Sequence, residues 1–288
     1  MSKRKWKSNT LPSLVTVGPV SLWMLFFIAV PLIYVFVMSF CSLDQYYNVT
    51  FQFTLENYRR LFAVDYVKIY GQSVLIALLT TIICLALAYP FSFLIARTGS
   101  KKKNLLYMMV IIPFWTNSLI RIYGWRNFLG TTGWLNNILQ FLHITSEPLD
   151  LLFHTGTTVL GMVYCLFPFM VLPLYTAIEK LDTNLLEASS DLGAKGPATF
   201  FEVIVPLTAS GIFSGSIMVF IPTLGYFFVS DILGGGNSDV IGNLIERQFQ
   251  SGNNWPLGAA LSIILIAITL LLVKLYQKMG GDMESLGV

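Results

Sequence analysis

The chain has 288 residues, of which 55% are hydrophobic and only 11% charged, with a formal net charge of +3. Soluble proteins carry about 25% charged residues, so this composition excludes an ordinary water-soluble domain and points to a membrane protein. The small positive balance argues for no nucleic-acid partner; where the bases lie matters more.

Lys3, Arg4, Lys5 and Lys7 open the chain, and no charge follows from Ser8 to Leu43. A spanning helix needs about 20 apolar residues, so this run predicts a first span. It is too long for the apolar part of a signal peptide and has no Ala-x-Ala cleavage site, so it reads as a retained anchor. A polar stretch of mixed charge, Ser42–Lys68, leads to a second uncharged run, Ile69–Ala96, which Pro90 is expected to kink. Arg97 and Lys101–Lys103 then form a tight basic loop. Asn104–Ile120 is the third expected span, with Pro113 inside it. Arg121–Asp150 reads as a long aromatic loop with a surface helix over Trp134–Leu142, because Trp and Tyr favour the membrane–water boundary.

Leu151–Ile178, with Pro168 and Pro173, is the fourth span, and Leu207–Ser230 the fifth. Gly211 and Gly215, four apart, let another helix come close, and that helix is expected to be this chain's own. Asp231–Trp255 reads as a Gly-rich loop, Pro256–Val273 as the sixth span and Lys274–Val288 as a polar tail.

Six spans put both termini on one side. Of the 18 bases, twelve then fall on the side of the termini, in the N-terminal segment, residues 97–103, residues 179–206 and the tail. The other six are Arg59, Arg60, Lys68, Arg121, Arg126 and Arg247. The positive-inside rule therefore puts both termini in the cytoplasm.

Catalytic chemistry is not visible. There is no G-x-x-x-x-G-K-[ST] phosphate loop, no H-E-x-x-H, no C-x-x-C and no G-x-S-x-G. Cys41, Cys84 and Cys165 form no disulfide framework, and His143 and His154 stand alone as loop residues rather than metal ligands. No cofactor, metal or catalytic residue is expected. Any ATP hydrolysis that drives the protein belongs to another chain.

One polar connection, residues 179–206, has a helix–turn–helix pattern of its own. Leu181, Leu185, Ala188 and Leu192 are spaced to share one helical face, and Asp182 or Thr183 suits the N-cap. Glu187 is placed either to meet a partner or to reach back to Asn184 in a capping box. Gly193 sits where helices end in the left-handed conformation, Pro197 suits the first turn of a second helix, and Pro206 interrupts that helix. The pattern Glu187-Ala188-Ser189, Gly193, Val203-Ile204-Val205-Pro206 resembles the EAA loop of permease subunits from binding-protein-dependent ABC importers. Ser189, Val203 and Val205 depart mildly from the family's Ala, Ile and Leu. Three further stretches, Pro113–Trp125, Phe167–Tyr175 and Val229–Gly235, resemble the spermidine/putrescine permeases of that family, as does the short helix expected over Thr54–Phe62.

The resemblance implies an all-α membrane protein of six transmembrane helices with the type I ABC importer (MetI-like) fold. A first helix and outer loop (1–68) would precede a five-helix core (69–273) and a cytoplasmic tail (274–288). It implies a bacterial inner membrane location, a dimer of ATPase subunits docked on the 179–206 loop, a second and related permease, and an extracytoplasmic polyamine-binding protein. The loop residues that would carry coupling are Glu187, Ala188, Ser189, Gly193 and Pro206. Polyamines are chains of ammonium and methylene groups, which carboxylates and aromatic faces bind. The expected spans contain no Asp or Glu, so the candidates for the substrate pathway lie in or beside them: Trp115, Asn117, Tyr123, Tyr226 and Asp231.

Residue chemistry alone does not select a polyamine; it says that selectivity is delegated to a soluble binding protein. The same fold could carry iron, sulfate, phosphonate or another small solute. An ion-coupled secondary transporter would show inverted repeats and broken midplane helices, and neither is evident. A structural or assembly membrane protein would have no use for the Glu187 pattern.

Overall fold

The computed structural model describes residues 10–278. The four N-terminal bases and the end of the tail lie outside them. Hydrophobic side chains drive helix formation here because no backbone group can be left unpaired in hydrocarbon. The first apolar run forms α1 (Thr10–Met24), a π-turn over Leu25–Ala29, and α2 (Val30–Met38). Of Val17–Met38 only Met38, at its end, is buried inside the chain. The following polar stretch folds as a two-stranded antiparallel hairpin, β1 (Ser42–Leu43) and β2 (Val49–Thr50), with the side chain of Asp44 accepting N–H bonds from Tyr46 and Asn48 in its turn. The helix expected over Thr54–Phe62 is α3 (Glu56–Arg60).

The second run becomes α4 (Val64–Arg97), which continues as helix through Pro90. The fourth becomes α8 (Thr155–Glu179), which contains Pro168 and Pro173, and the sixth becomes α15 (Trp255–Lys278). The other two runs are broken. α5 (Ser100–Ile111) tightens into a 3-10 turn over Ile112–Trp115, and the chain then turns by 93° into α6 (Ser118–Leu129) and α7 (Trp134–Phe141). The expected third span, Asn104–Ile120, is therefore not one helix. Pro113 cannot donate to the turn before it, and Asn117 caps a new helix by accepting the N–H of Leu119. Arg121–Asp150 is likewise not a loop, since α6 and α7 occupy most of it; α7 matches the expected surface helix.

The fifth run is α12 (Ala209–Gly225), bent by 69° at Thr208 from the helix before it. It stops at Tyr226, and a single turn, α13 (Phe227–Val229), passes into a π-turn over Ser230–Gly234. The stretch expected to be a Gly-rich loop contains α14 (Ile241–Gln250), capped by Asn243, whose side chain accepts the N–H of Val240 at 2.9 Å. Among the described residues four helices are long and apolar enough to cross a membrane, and each bent pair counted as one span brings the number to six.

α4, α8 and α12 pack against one another and form the core, which buries Cys84, Met162, Leu166, Met170, Leu174 and Val219. The two glycines of α12 permit the contact. A methyl group on Gly211 would lie 2.6 Å from Cβ of Ala177, and one on Gly215 2.7 Å from Sδ of Met170. The small-residue pair thus serves packing within the chain. Buried hydroxyls cross-link the helices: Tyr89 of α4 to Thr208 at 2.7 Å, and Ser92 of α4 to the carbonyl of Val171 at 3.2 Å. α15 packs against both α14 and α2.

Candidate functional site

The connection after α8 folds into a helical hairpin. Asp182 is its N-cap, accepting the N–H of Asn184 at 2.9 Å, and α9 runs Thr183–Asp191. The third helical position is Leu185, so Glu187 lies too far along to close a capping box. It is exposed, with no side-chain hydrogen bond or ion pair among the described residues. The helix ends as expected. Gly193 has φ +83°, its N–H donates to Ser190, and the N–H of Ala194 donates back to Ser189 at 3.1 Å. This pair of bonds satisfies carbonyls that the helix end would orphan. Space around Gly193 is open, so the residue is required by backbone angle and not by crowding.

The second helix starts at α10 (Gly196–Thr199), with Pro197 in its first turn. It widens to a π-turn over Phe200–Ile204 and ends in α11 (Val205–Leu207). Pro206 has no N–H to give the preceding turn, which is where the helix loosens, but the actual break falls two residues later, at Thr208. Ser189, only 8% exposed, hydrogen-bonds Thr199 at 2.9 Å and clasps α9 to α10. Leu181, Leu186, Phe200 and Ile204 face the core. The remaining members of the predicted stripe, Leu185, Ala188 and Leu192, face outward; Leu192 is 89% exposed. They line a groove of about 730 Å³ together with Ala198, Val203 and Pro206. A folded apolar groove of this kind, on a polar connection, suits the surface of another protein. At the base of the hairpin Lys103 pairs with Glu179 and lies 5.2 Å from the Tyr175 ring, so the basic loop after α4 is at the same end of the bundle.

The five pathway candidates lie on two broken segments. Trp115 ends the 3-10 turn and is 83% exposed; Asn117 is spent as the cap of α6; Tyr123, on α6, is exposed. Tyr226 occupies the break after α12, half-buried, with its ring 5.0 Å from Phe228. Asp231 is exposed and accepts a bond from Asn243 at 2.6 Å. α13 and the π-turn that follows it pack on α6, so the two groups share a neighbourhood. Among the described residues no ring contact or hydrogen bond joins Trp115, Asn117 or Tyr123 to Tyr226 or Asp231.

Sequence reasoning missed Arg121. Its guanidinium lies between two rings, 5.8 Å from Phe114 and 5.4 Å from Tyr164, and Trp125 meets Tyr164 edge-on at 5.5 Å. A cavity of about 590 Å³ opens beside it, walled mostly by apolar side chains of α4, α5, α6 and α8. The available signal was a lone base in a stretch otherwise without charge, Asn104–Gly124. Removing it from the outer loops leaves five bases there and widens the charge bias.

A bundle of apolar helices with a two-helix hairpin after α8 is a fold shared with solved ABC transporter chains. Residues 88–279 match the family described as binding-protein-dependent transport system inner membrane component, and the chain belongs to that family. The family is one of transport permeases, not catalytic enzymes, and the chain is a multi-pass membrane protein. Two relatives are spermidine/putrescine transport system permease proteins PotB. The protein from Haemophilus influenzae is 43% identical over 264 residues, 92% of each chain. That from Escherichia coli K12 is 43% identical over 256 residues, 89% of this chain and 93% of its own. Among solved structures, a permease chain of a bacterial alginate ABC transporter, in complex with an alginate pentasaccharide-bound periplasmic protein, matches with a TM-score of 0.72 at 18% identity, covering 96% of this chain and 97% of that one. At that identity the likeness concerns the fold.

Proposed function

We propose that this chain is a translocating subunit of an ATP-driven polyamine importer of the inner membrane. The observation that carries the mechanism is the hairpin of α9 to α11, folded and clasped within itself yet presenting Leu185, Ala188 and Leu192 outward. An ATPase subunit seats on this groove, and closure of the ATPase dimer drives the hairpins of two permease chains together. Glu187, without a side-chain partner among the described residues, is available to the ATPase surface, and Gly193 and Pro206 set the hairpin's shape. The bundle then alternates between inward- and outward-facing states. Among the described residues eight bases belong to the hairpin side of the spans (97–103, 179–206 and the tail) against five on the other, so by the positive-inside rule both termini face the cytoplasm.

The cargo follows from the relatives. Both are named for spermidine and putrescine, and the match runs nearly the whole length of each. A second, related permease and an extracytoplasmic binding protein complete the assembly; the solved alginate transporter includes such a soluble protein. The spans offer aromatic faces at Trp115, Tyr123 and Tyr226, with Asp231 the nearest carboxylate. This sparse set passes a polyamine along without a tight cage.

Uptake of labelled spermidine into vesicles containing the whole complex tests the reading. Competition by putrescine and none by sulfate, iron or phosphonate is the expected result. Equal competition by unrelated solutes would remove the cargo, and uptake without ATP would remove the mechanism.

A further inference from the structure

Arg121 is carried deep into the bundle. It lies over Tyr164, nine residues after the start of α8 at Thr155 and fifteen before its end at Glu179. At about 1.5 Å per residue, that is roughly 14 and 22 Å from the two ends. A guanidinium stays charged at any working pH, and a charge at this depth is costly unless an anion meets it. The two flanking rings spread the charge without neutralising it.

The described residues supply no such anion. Among the described residues the ion pairs are Arg60–Glu56, Lys103–Glu179 and Arg247–Asp239, and none includes Arg121. Nε of Arg121 is buried without a hydrogen-bond partner. The cavity beside it, about 590 Å³, is walled by Leu87, Phe91, Pro113, Leu160 and Phe167, and Leu87 and Phe114 at its rim stay exposed.

We infer that this cleft is closed by a transmembrane helix of the second permease subunit, which brings one aspartate or glutamate, set among apolar residues, to Arg121. The inference rests on the two-permease reading above. Such a helix supplies both things the cleft lacks: apolar bulk for the groove and a carboxylate fixed at depth by its packing. A guanidinium fork meets a carboxylate with two parallel N–H bonds. A phospholipid phosphate has the right charge but belongs at the headgroup level, and a polyamine carries the same sign as Arg121 and is repelled.

The test uses the assembled complex, with the photo-crosslinker p-benzoylphenylalanine in place of Leu160. Illumination is expected to yield an adduct with the second permease, which mass spectrometry maps to a membrane-spanning segment containing Asp or Glu. Arg121→Met is expected to lower the second permease recovered with this chain by more than about tenfold, since truncating one side of a buried charge pair strands the other. The amount of the chain in the membrane should not change. Arg121→Glu combined with Arg at the mapped carboxylate should restore recovery. Should Arg121→Met be lost from the membrane, the crosslink on the Leu160 position still decides. An adduct with lipid alone, with another copy of this chain, or with a segment lacking a carboxylate overturns the inference while leaving the two-permease reading standing. If the unsubstituted complex retains no second permease at all, that reading falls too.

Discussion

The hairpin at 183–207 and the elbow at 112–121 are both sharp turns between apolar helices, and they are finished by different means. The hairpin completes itself. Its cap, its left-handed glycine and the Ser189–Thr199 clasp are all made by residues within a few helical turns of each other. What it leaves open is apolar surface. The elbow completes its backbone, through Asn117, but leaves a charge between two rings with a buried N–H unmet. The difference teaches that a turn's own geometry and its functional chemistry need not be settled by the same part of the molecule.

Breaking the self-sufficiency of the hairpin should have the largest effect. Gly193→Pro forces φ from +83° to the negative value of proline and deletes the N–H that bonds Ser190. Uptake is expected to vanish, ATP hydrolysis to persist uncoupled from it, and the chain still to insert. Normal uptake by this variant would end the proposed coupling role. Next in size is the core that both turns lean on. Gly211→Leu drives a side chain into Ala177 and the carbonyl of Pro173, and overpacking of this kind costs about 1–3 kcal/mol. A thermal melt of the purified complex should register it as a lowered Tm.

A gentler probe sharpens the contrast. Ser189→Ala removes one neutral hydrogen bond, worth about 1 kcal/mol. A double-mutant cycle with Thr199→Val should show that the two effects do not add; strict additivity would mean the clasp contributes nothing. The smallest effect lies away from both turns. The backbone N–H groups of Asn48 and Tyr46, with the Asn48 amide, hold the Asp44 carboxylate below its ordinary range. A depressed carboxylate stabilises the fold above its unfolded pKa, and that contribution fades as pH falls through the folded value. Hydrogen exchange at Asn48 should therefore speed up, after correction for intrinsic rates, only on acidification to below about pH 4. In Asp44→Asn this acid dependence should be gone.

Much of the hairpin was legible in the sequence because its signals are local: Asp182, Gly193 and Pro197 each act within one helical turn. The outward direction of Leu185 and Leu192 was not, since the spacing defines a shared face but not what covers it. The elbow was misread as a continuous span because hydropathy counts residues and does not see a 93° turn. The Phe114–Tyr164 sandwich joins distant parts of the chain, so no window of sequence contains it. α14 was missed for a similar reason. Glycines before it suggested a loop, whereas Leu244 is held by Leu257 and Leu261 of α15, which follows it.

The join at Thr208 has a mechanical consequence. The hydroxyl there donates at 2.8 Å to the carbonyl of Ile204 and so accepts, at 2.7 Å, from the hydroxyl of Tyr89 in the long helix α4. The backbone is already bent there, so swinging the short arm requires no helical turn to melt. A push applied at the tip is delivered, through a bolt of two hydroxyl groups, to the longest rod in the molecule.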